Sequence, residues 1–266
     1  MPGVARPILH PASGSAADRR TERPAGRAGQ IALFLDVDGT LLQFADAPGE
    51  VTIEARTIDL LSRVHRATGG ALALVTGRGI ADLDRLFRPL ALPAAGQHGF
   101  ERRDAAGVLR RHGVPSPPLG AIRERLKAFA LEHPGVLVED KGLTLAIHYR
   151  LASGAEGALA DLLESALGAT GGLLCMQRSK MVFEVRPTGK DKGTAVAEFM
   201  AEAPFRGRTP VFVGDDLTDE LAFGVVNDLG GFSIKVGDGP TEAHWRLDDV
   251  GAVRAWLETL AEGAGG

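Results

Sequence analysis

The sequence predicts an α/β protein: a Rossmann-like parallel sheet flanked by helices, interrupted by a smaller α+β insert. Three observations carry that expectation. Apolar runs at residues 31–35, 71–75 and 211–213 each end in a polar residue and a glycine turn. Runs of this kind read as strands buried on both faces, as in parallel sheets covered by helices. Residues 52–68, between the first two, space Ile53, Ile58, Leu60, Leu61 and Val64 along one helical face, which makes a β-α-β unit with a right-handed crossover. The middle of the chain follows an α-β-β-α-β-β order instead, the pattern of an antiparallel sheet with two helices on one side.

The remaining elements follow in order. Residues 80–87 read as a helix and 90–95 as the approach to a fourth short strand. A helix is expected near 219–226, a strand at 231–236 and a last helix at 250–262. In the middle, helix 119–132 precedes strands 135–139 and 143–150, split by the turn Asp140-Lys141-Gly142. Helix 155–167 then leads to strands 172–177 and 181–186 around Arg178-Ser179-Lys180. Hinges are expected at 115–118 and 187–189. The core then comprises 30–111 and 189–266, and the insert, 112–188, reads as a cap over the site. Residues 1–29 carry Arg6, Arg19, Arg20, Arg23 and Arg27 among Pro, Ala, Gly and Ser, and read as a disordered tail. They lack the apolar segment of a secretory signal; an organelle-targeting peptide is the alternative.

Composition narrows the function classes. A formal net charge of −4 gives no field for nucleic acid. A single cysteine, Cys175, rules out an internal disulfide framework and fits a reducing cytoplasm. No apolar stretch approaches membrane-spanning length, so no membrane partner is expected. Cys175 and Trp245 read as packing residues.

The chemistry lies at the strand ends, where open α/β sheets bind ligands. Asp36 and Asp38 leave the first strand one residue apart, and like charges so close call for a cation or a shared proton. Gly39 and Thr40 turn backbone N–H groups inward, a nest suited to phosphate oxygens. A carboxylate can attack phosphorus, which makes Asp36 the candidate nucleophile and Asp38 the candidate acid and base. Thr76-Gly77-Arg78 offers a hydroxyl at the second strand end, and equally suits a helix cap. Asp215, Asp216 and Asp219 supply carboxylates at the third, the hard oxygen ligation that Mg²⁺ prefers. Lys192 opens a helix, where it can neutralise a phosphoryl group or simply be solvated.

In order and type, these four segments resemble the haloacid dehalogenase-like (HAD) superfamily of phosphotransferases. The resemblance implies that Asp36 becomes a phosphoaspartate and that Asp36, the Asp38 carbonyl and Asp215 hold Mg²⁺, with Asp216 and Asp219 in support. Glu139-Asp140-Lys141, His148-Tyr149-Arg150, Lys180, Glu184-Val185-Arg186-Pro187, Asp191-Lys192-Gly193 and Gly214 to Glu220 further resemble the trehalose-6-phosphate phosphatase family, as does Gln97-His98-Gly99. This implies hydrolysis of trehalose 6-phosphate by a cytoplasmic, monomeric enzyme. Substrate would be bound by Arg78, Gln97, His98, Gly99, Glu139, Lys141, Arg150, Lys180 and Glu184. Strand alternation also sets Thr144, Ala146, His148 and Arg150 opposite Leu143, Leu145, Ile147 and Tyr149, a polar face suited to sugar hydroxyls or to cross-strand ion pairs. The alternatives are a phosphatase of sucrose phosphate or mannosyl phosphoglycerate, a phosphotransferring mutase or pump, and an inactive sugar-phosphate sensor.

Overall fold

The computed structural model describes residues 10–11, 28–43, 53–112, 116–179 and 181–263. Two compact units emerge, one formed by Met1–Arg111 with Asp191–Gly266 and one by His112–Lys190.

The larger unit is built on a nine-stranded sheet. Its strands are β1 (His10–Pro11), β2 (Ile31–Leu35), β3 (Leu72–Val75), β4 (Ala94–Gly96), β5 (Glu101–Arg103) and β6 (Leu109–Arg111). They continue, after the insert, with β11 (Thr209–Gly214), β12 (Phe232–Val236) and β13 (Trp245–Leu247). The spatial order is β1-β13-β12-β11-β2-β3-β4-β5-β6. The block from β13 to β4 is parallel, and β1, β5 and β6 add antiparallel edges. Strands β2 and β3 are wholly apolar because both of their faces are covered. Ile31, Leu33 and Leu35 pack with Leu60, Leu61 and Val64 of α1 (Ala55–Ala67), with Ile80 and Leu83 of α2 (Ile80–Leu86), and with Val253 and Leu257 of α7 (Val250–Glu262). Ala32 and Phe34 point the other way, onto Val196 and Phe199 of α5 (Lys192–Met200) and Phe223 of α6 (Glu220–Asp228). Alternation along one strand thus joins the two helical layers.

The smaller unit has its own core. A four-stranded antiparallel sheet takes the order β7 (Leu137–Asp140), β8 (Leu145–His148), β10 (Val182–Pro187), β9 (Leu174–Ser179). Leu145, Ile147, Phe183 and Val185 bury one face against Leu126 of α3 (Ser116–Glu132) and Leu159 and Leu163 of α4 (Glu156–Gly168).

Several expectations need correction. Strand β8 ends at His148, and Arg150 begins a 3₁₀ segment, Arg150–Ala155, so Arg150 leaves the alternating strand face. Pro117 and Pro118 belong to the first turn of α3, where a missing N–H costs nothing, rather than to a hinge; Pro115 lies outside the described residues. Strands β5, β6 and β13 were not anticipated. The tail expected at 1–29 lies outside the described residues, apart from 28–29 and His10–Pro11, which pairs with Arg246 and Trp245.

Candidate active site

The site of the larger unit is assembled at the carboxyl ends of β2, β3 and β11. At the end of β2 the Asp36 N–H donates to the Val213 carbonyl at 2.9 Å. The chain then turns tightly, with the Leu41 and Leu42 N–H groups both donating to the Val37 carbonyl at 2.9 Å. Gly39 sits at φ +82°, and a Cβ there would collide with the Asp215 carboxylate, so only glycine lets this turn close on the end of β11. Asp36 is buried and Asp38 half-buried.

Lys192 is buried in the middle of these acids. Its Nζ donates to Asp36 Oδ1 at 2.9 Å and to Asp219 Oδ1 at 2.7 Å, with Asp216 Oδ1 at 3.7 Å. The second oxygen of Asp219 accepts the N–H groups of Asp215 and Asp216 at 2.9 Å each. Both oxygens of Asp219 are therefore engaged in holding other groups. Asp216 accepts from the Thr218 N–H at 2.8 Å and hydroxyl at 2.6 Å. Asp215 accepts from Thr40 Oγ1 at 3.2 Å, while its carbonyl accepts from the buried Lys235 ammonium of β12.

The electrostatics follow from burial and crowding. Burial raises the Asp215 pKa, and the neighbouring Asp219 and Asp216 charges add to it, so that it is pushed up to about 7 against the pull of Lys192. Burial also lifts Asp36 and Asp219 well above the usual carboxylate range, although Lys192 opposes it. Burial resists ionisation of Asp216 too, but Lys192 and Thr218 outweigh it and its pKa is lowered. Lys192 loses hydration on burial, yet Asp219, Asp36 and Asp216 hold it well above its ordinary value. One lysine among four aspartates leaves negative charge that only further cations or protons can offset. Asp36, Asp215 and Asp219 bring carboxylate oxygens within 4.8 Å of one another. This oxygen-only donor set fits a hard divalent cation.

Thr76 and Arg78 approach from β3. The Arg78 guanidinium grips Asp38 through two parallel bonds of 2.6 Å, a bidentate pair, and the Arg78 main-chain N–H donates to Thr76 Oγ1 at 3.2 Å. Gln97, His98 and Gly99 are all buried, and their main chain braces the Thr76–Arg78 segment: the His98 N–H donates to the Thr76 carbonyl at 3.0 Å. A cavity of 290 Å³ opens beside Asp215, Gly39 and Val236. Sequence reasoning missed Lys235. A charge inside the apolar run Phe232–Val236 was the available signal, because a buried strand rarely spends a position on lysine.

The insert carries the second group of candidates. Register aligns Glu139 with Ala146, Ala146 with Glu184, and Glu184 with Gln177, one row across four strands that is polar on β7, β10 and β9 and apolar at Ala146. His148 Nε2 lies 3.1 Å from Glu139, and Lys141 Nζ lies 3.5 Å from Glu184. The hydrogen bond with His148 is the main reason that the Glu139 pKa is lowered, Lys141 adding to it. Arg150 is exposed, and Lys180 lies outside the described residues.

Comparison with known proteins agrees with the fold. The model of the trehalose-phosphatase family matches residues 34–250. The chain is 43% identical to the trehalose-6-phosphate phosphatase of Escherichia coli over 90% of each chain. It is 42% identical to a probable trehalose-phosphate phosphatase of Sinorhizobium fredii, covering 86% of this chain and 87% of that one. A crystal structure of a trehalose-6-phosphate phosphatase related protein superposes with a TM-score of 0.73 at 27% identity, covering 87% of this chain and 97% of that one. By family model, sequence identity and fold alike, this chain belongs to the trehalose-phosphatase family.

Proposed function

We propose that the protein is a Mg²⁺-dependent phosphoric monoester hydrolase that converts trehalose 6-phosphate to trehalose and phosphate. The observation that carries the reading is the buried lysine shared by Asp36 and Asp219 beside Asp215, at strand ends that also present Asp38, Thr76 and Arg78.

Asp36 attacks phosphorus and becomes a phosphoaspartate, and Asp38 gives a proton to the departing sugar oxygen. Asp38 then takes a proton from the water that hydrolyses the acyl phosphate. For this, Asp38 must exchange its bonds with Arg78 for the leaving oxygen, which frees the guanidinium for the phosphoryl oxygens. Thr76 and Lys192 complete the cradle for those oxygens, and Lys192 also restrains the charge of the nucleophile. Asp36, the Asp38 carbonyl and Asp215 would hold Mg²⁺, supported by Asp216 and Asp219. When bound, the ion supplies Lewis-acid neutralisation of charge on the phosphoryl group.

Glu139, Lys141, Arg150, Lys180 and Glu184 of the insert would bind the glucose units, with Gln97, His98 and Gly99 supporting the core side. The charge-assisted pairs of His148 with Glu139 and Lys141 with Glu184 support this assignment, since such groups recognise sugar hydroxyls. The insert thereby acts as a cap. A monomer in the cytoplasm belongs to the same proposal; among the described residues, no helix is long and apolar enough to cross a membrane. Acid quenching during turnover of labelled trehalose 6-phosphate should leave phosphate on the wild-type protein and none on Asp36→Asn, whose phosphate release should fall at least about a thousandfold. Release preserved in Asp36→Asn would overturn the assignment of the nucleophile.

A further inference from the structure

Two chain segments, 76–80 and 94–101, meet beside the site and are tied at four points. The Thr76 N–H donates to the Ala95 carbonyl at 2.9 Å, and the His98 N–H to the Thr76 carbonyl at 3.0 Å. The Gln97 N–H donates to the Arg78 carbonyl at 2.9 Å. The fourth tie is a side chain: Glu101 Oε2 accepts the Ile80 N–H at 2.9 Å. The approach is so close that a Cβ on Gly96 would lie 2.8 Å from the Arg78 carbonyl oxygen. Gln97 and His98 hold φ of +47° and +56°, a left-handed backbone uncommon for residues other than glycine. Strain of this kind persists only where the surroundings impose it, and it gathers at functional sites.

We propose that Glu101 is a positioning residue for the Thr76-Gly77-Arg78 segment. Helix α2 begins directly after that segment, and its N-cap, Gly79, has no side chain with which to cap it. Glu101 reaches across from β5 to supply the missing acceptor, and a carboxylate suits an orphan N–H at a helix start. Its other oxygen accepts from Arg111 Nε at 2.9 Å, which holds the carboxylate in one orientation. Glu101 is 6% exposed, so water has little access to replace it. Fixing Ile80 fixes the exit of the segment, while Ala95, Gln97 and His98 fix the rest. Arg78 is thereby held within reach of Asp38, and the Thr76 hydroxyl under the Arg78 N–H. Glu101 itself touches no reacting group. Its effect on turnover passes entirely through Thr76 and Arg78, and so rests on the proposed phosphate-side role of those two residues.

The test compares Glu101→Leu, Glu101→Asp and Glu101→Gln, each corrected for folded fraction by its thermal transition. Leucine removes the acceptor, aspartate keeps the charge but loses the reach, and glutamine keeps an acceptor for Ile80. Glu101→Leu and Glu101→Asp should lower kcat/KM at least about tenfold and weaken inhibition by inorganic phosphate at least about fivefold. Half-saturation by Mg²⁺ should stay within about twofold, because Asp215 and Asp36 are untouched. Glu101→Gln should recover most of the loss. Should Glu101→Leu fail to fold, Glu101→Asp alone carries the test. Phosphate affinity and kcat/KM per folded molecule equal to wild type in Glu101→Asp would overturn the proposal, as would loss of phosphate and metal affinity together. Wild-type hydrolysis and the Asp36→Asn result stand apart from either outcome. They would leave the phosphatase reading intact where the positioning role alone fails.

Discussion

Asp215 holds its proton up to about pH 7 in the folded chain, against 3.8 for an ordinary aspartate, because burial and its acidic neighbours penalise the charge. The folded state therefore binds this proton more tightly than the unfolded state. The resulting stabilisation is fully present below the unfolded pKa and is lost as pH rises through about 7. In protein stripped of metal, wild type should lose thermal stability relative to Asp215→Asn between about pH 5 and about pH 8, and added Mg²⁺ should reduce the difference. A difference between the two that stays flat over this window would contradict the assigned burial. At this scale the sequence was most legible where chemistry follows directly from a strand end, as at Asp36, Thr76 and Asp215. The partners of Glu101, Thr40 and Lys235 were not legible, because they lie 21, 175 and 20 residues away and no local pattern announces the meeting.

Helix α5 shows how an element accommodates a buried charge, that of Lys192. A cation at the first helical position is disfavoured by the helix dipole, and burial adds to the cost. Lys192 tolerates both because Asp36 and Asp219 grip it. The preceding Asp191 offsets part of the penalty with a capping box, accepting the Thr194 N–H at 2.7 Å while its own N–H donates to Thr194 Oγ1 at 2.9 Å. Asp191→Ala should cost about 1 kcal/mol of stability in denaturant unfolding, and should lower turnover further by loosening the first turn under Lys192. Unchanged stability would show that the cap contributes nothing. The opening of α5 could be read from Asp191-Lys192-Gly193, since a cap residue precedes an apolar helical pattern. Strand β5 could not, because Glu101-Arg102-Arg103 has no apolar alternation. Its buried Arg102 is made tolerable by Glu202 at 2.5 Å and Glu198 at 3.1 Å, and by the Phe199 ring at 4.7 Å, all supplied by α5 and the turn after it.

For the whole molecule, the switch from apolar strand runs to an alternating, β-rich middle marked an insert with a core of its own. That core, around Leu126, Leu145, Leu159 and Phe183, is separate from both layers of the larger sheet. The physical reason is economy of burial. A parallel sheet covered on two faces needs continuous apolar strands, whereas a sheet covered on one face turns every second residue away from that core. Residues Glu139 and Glu184 occupy such positions, whereas Asp36 and Asp215 directly follow strands of the other kind and Lys192 opens helix α5. Under the proposed function, bond cleavage falls to the larger unit and choice of substrate to the smaller. The most direct measurement is phosphate release from trehalose 6-phosphate, sucrose 6-phosphate, glucose 6-phosphate and mannosyl phosphoglycerate, with Mg²⁺ and with chelator. A kcat/KM for trehalose 6-phosphate at least about a hundredfold above the others, abolished by chelation, is the expected result. Equal turnover of all four, or turnover that survives chelation, would contradict it.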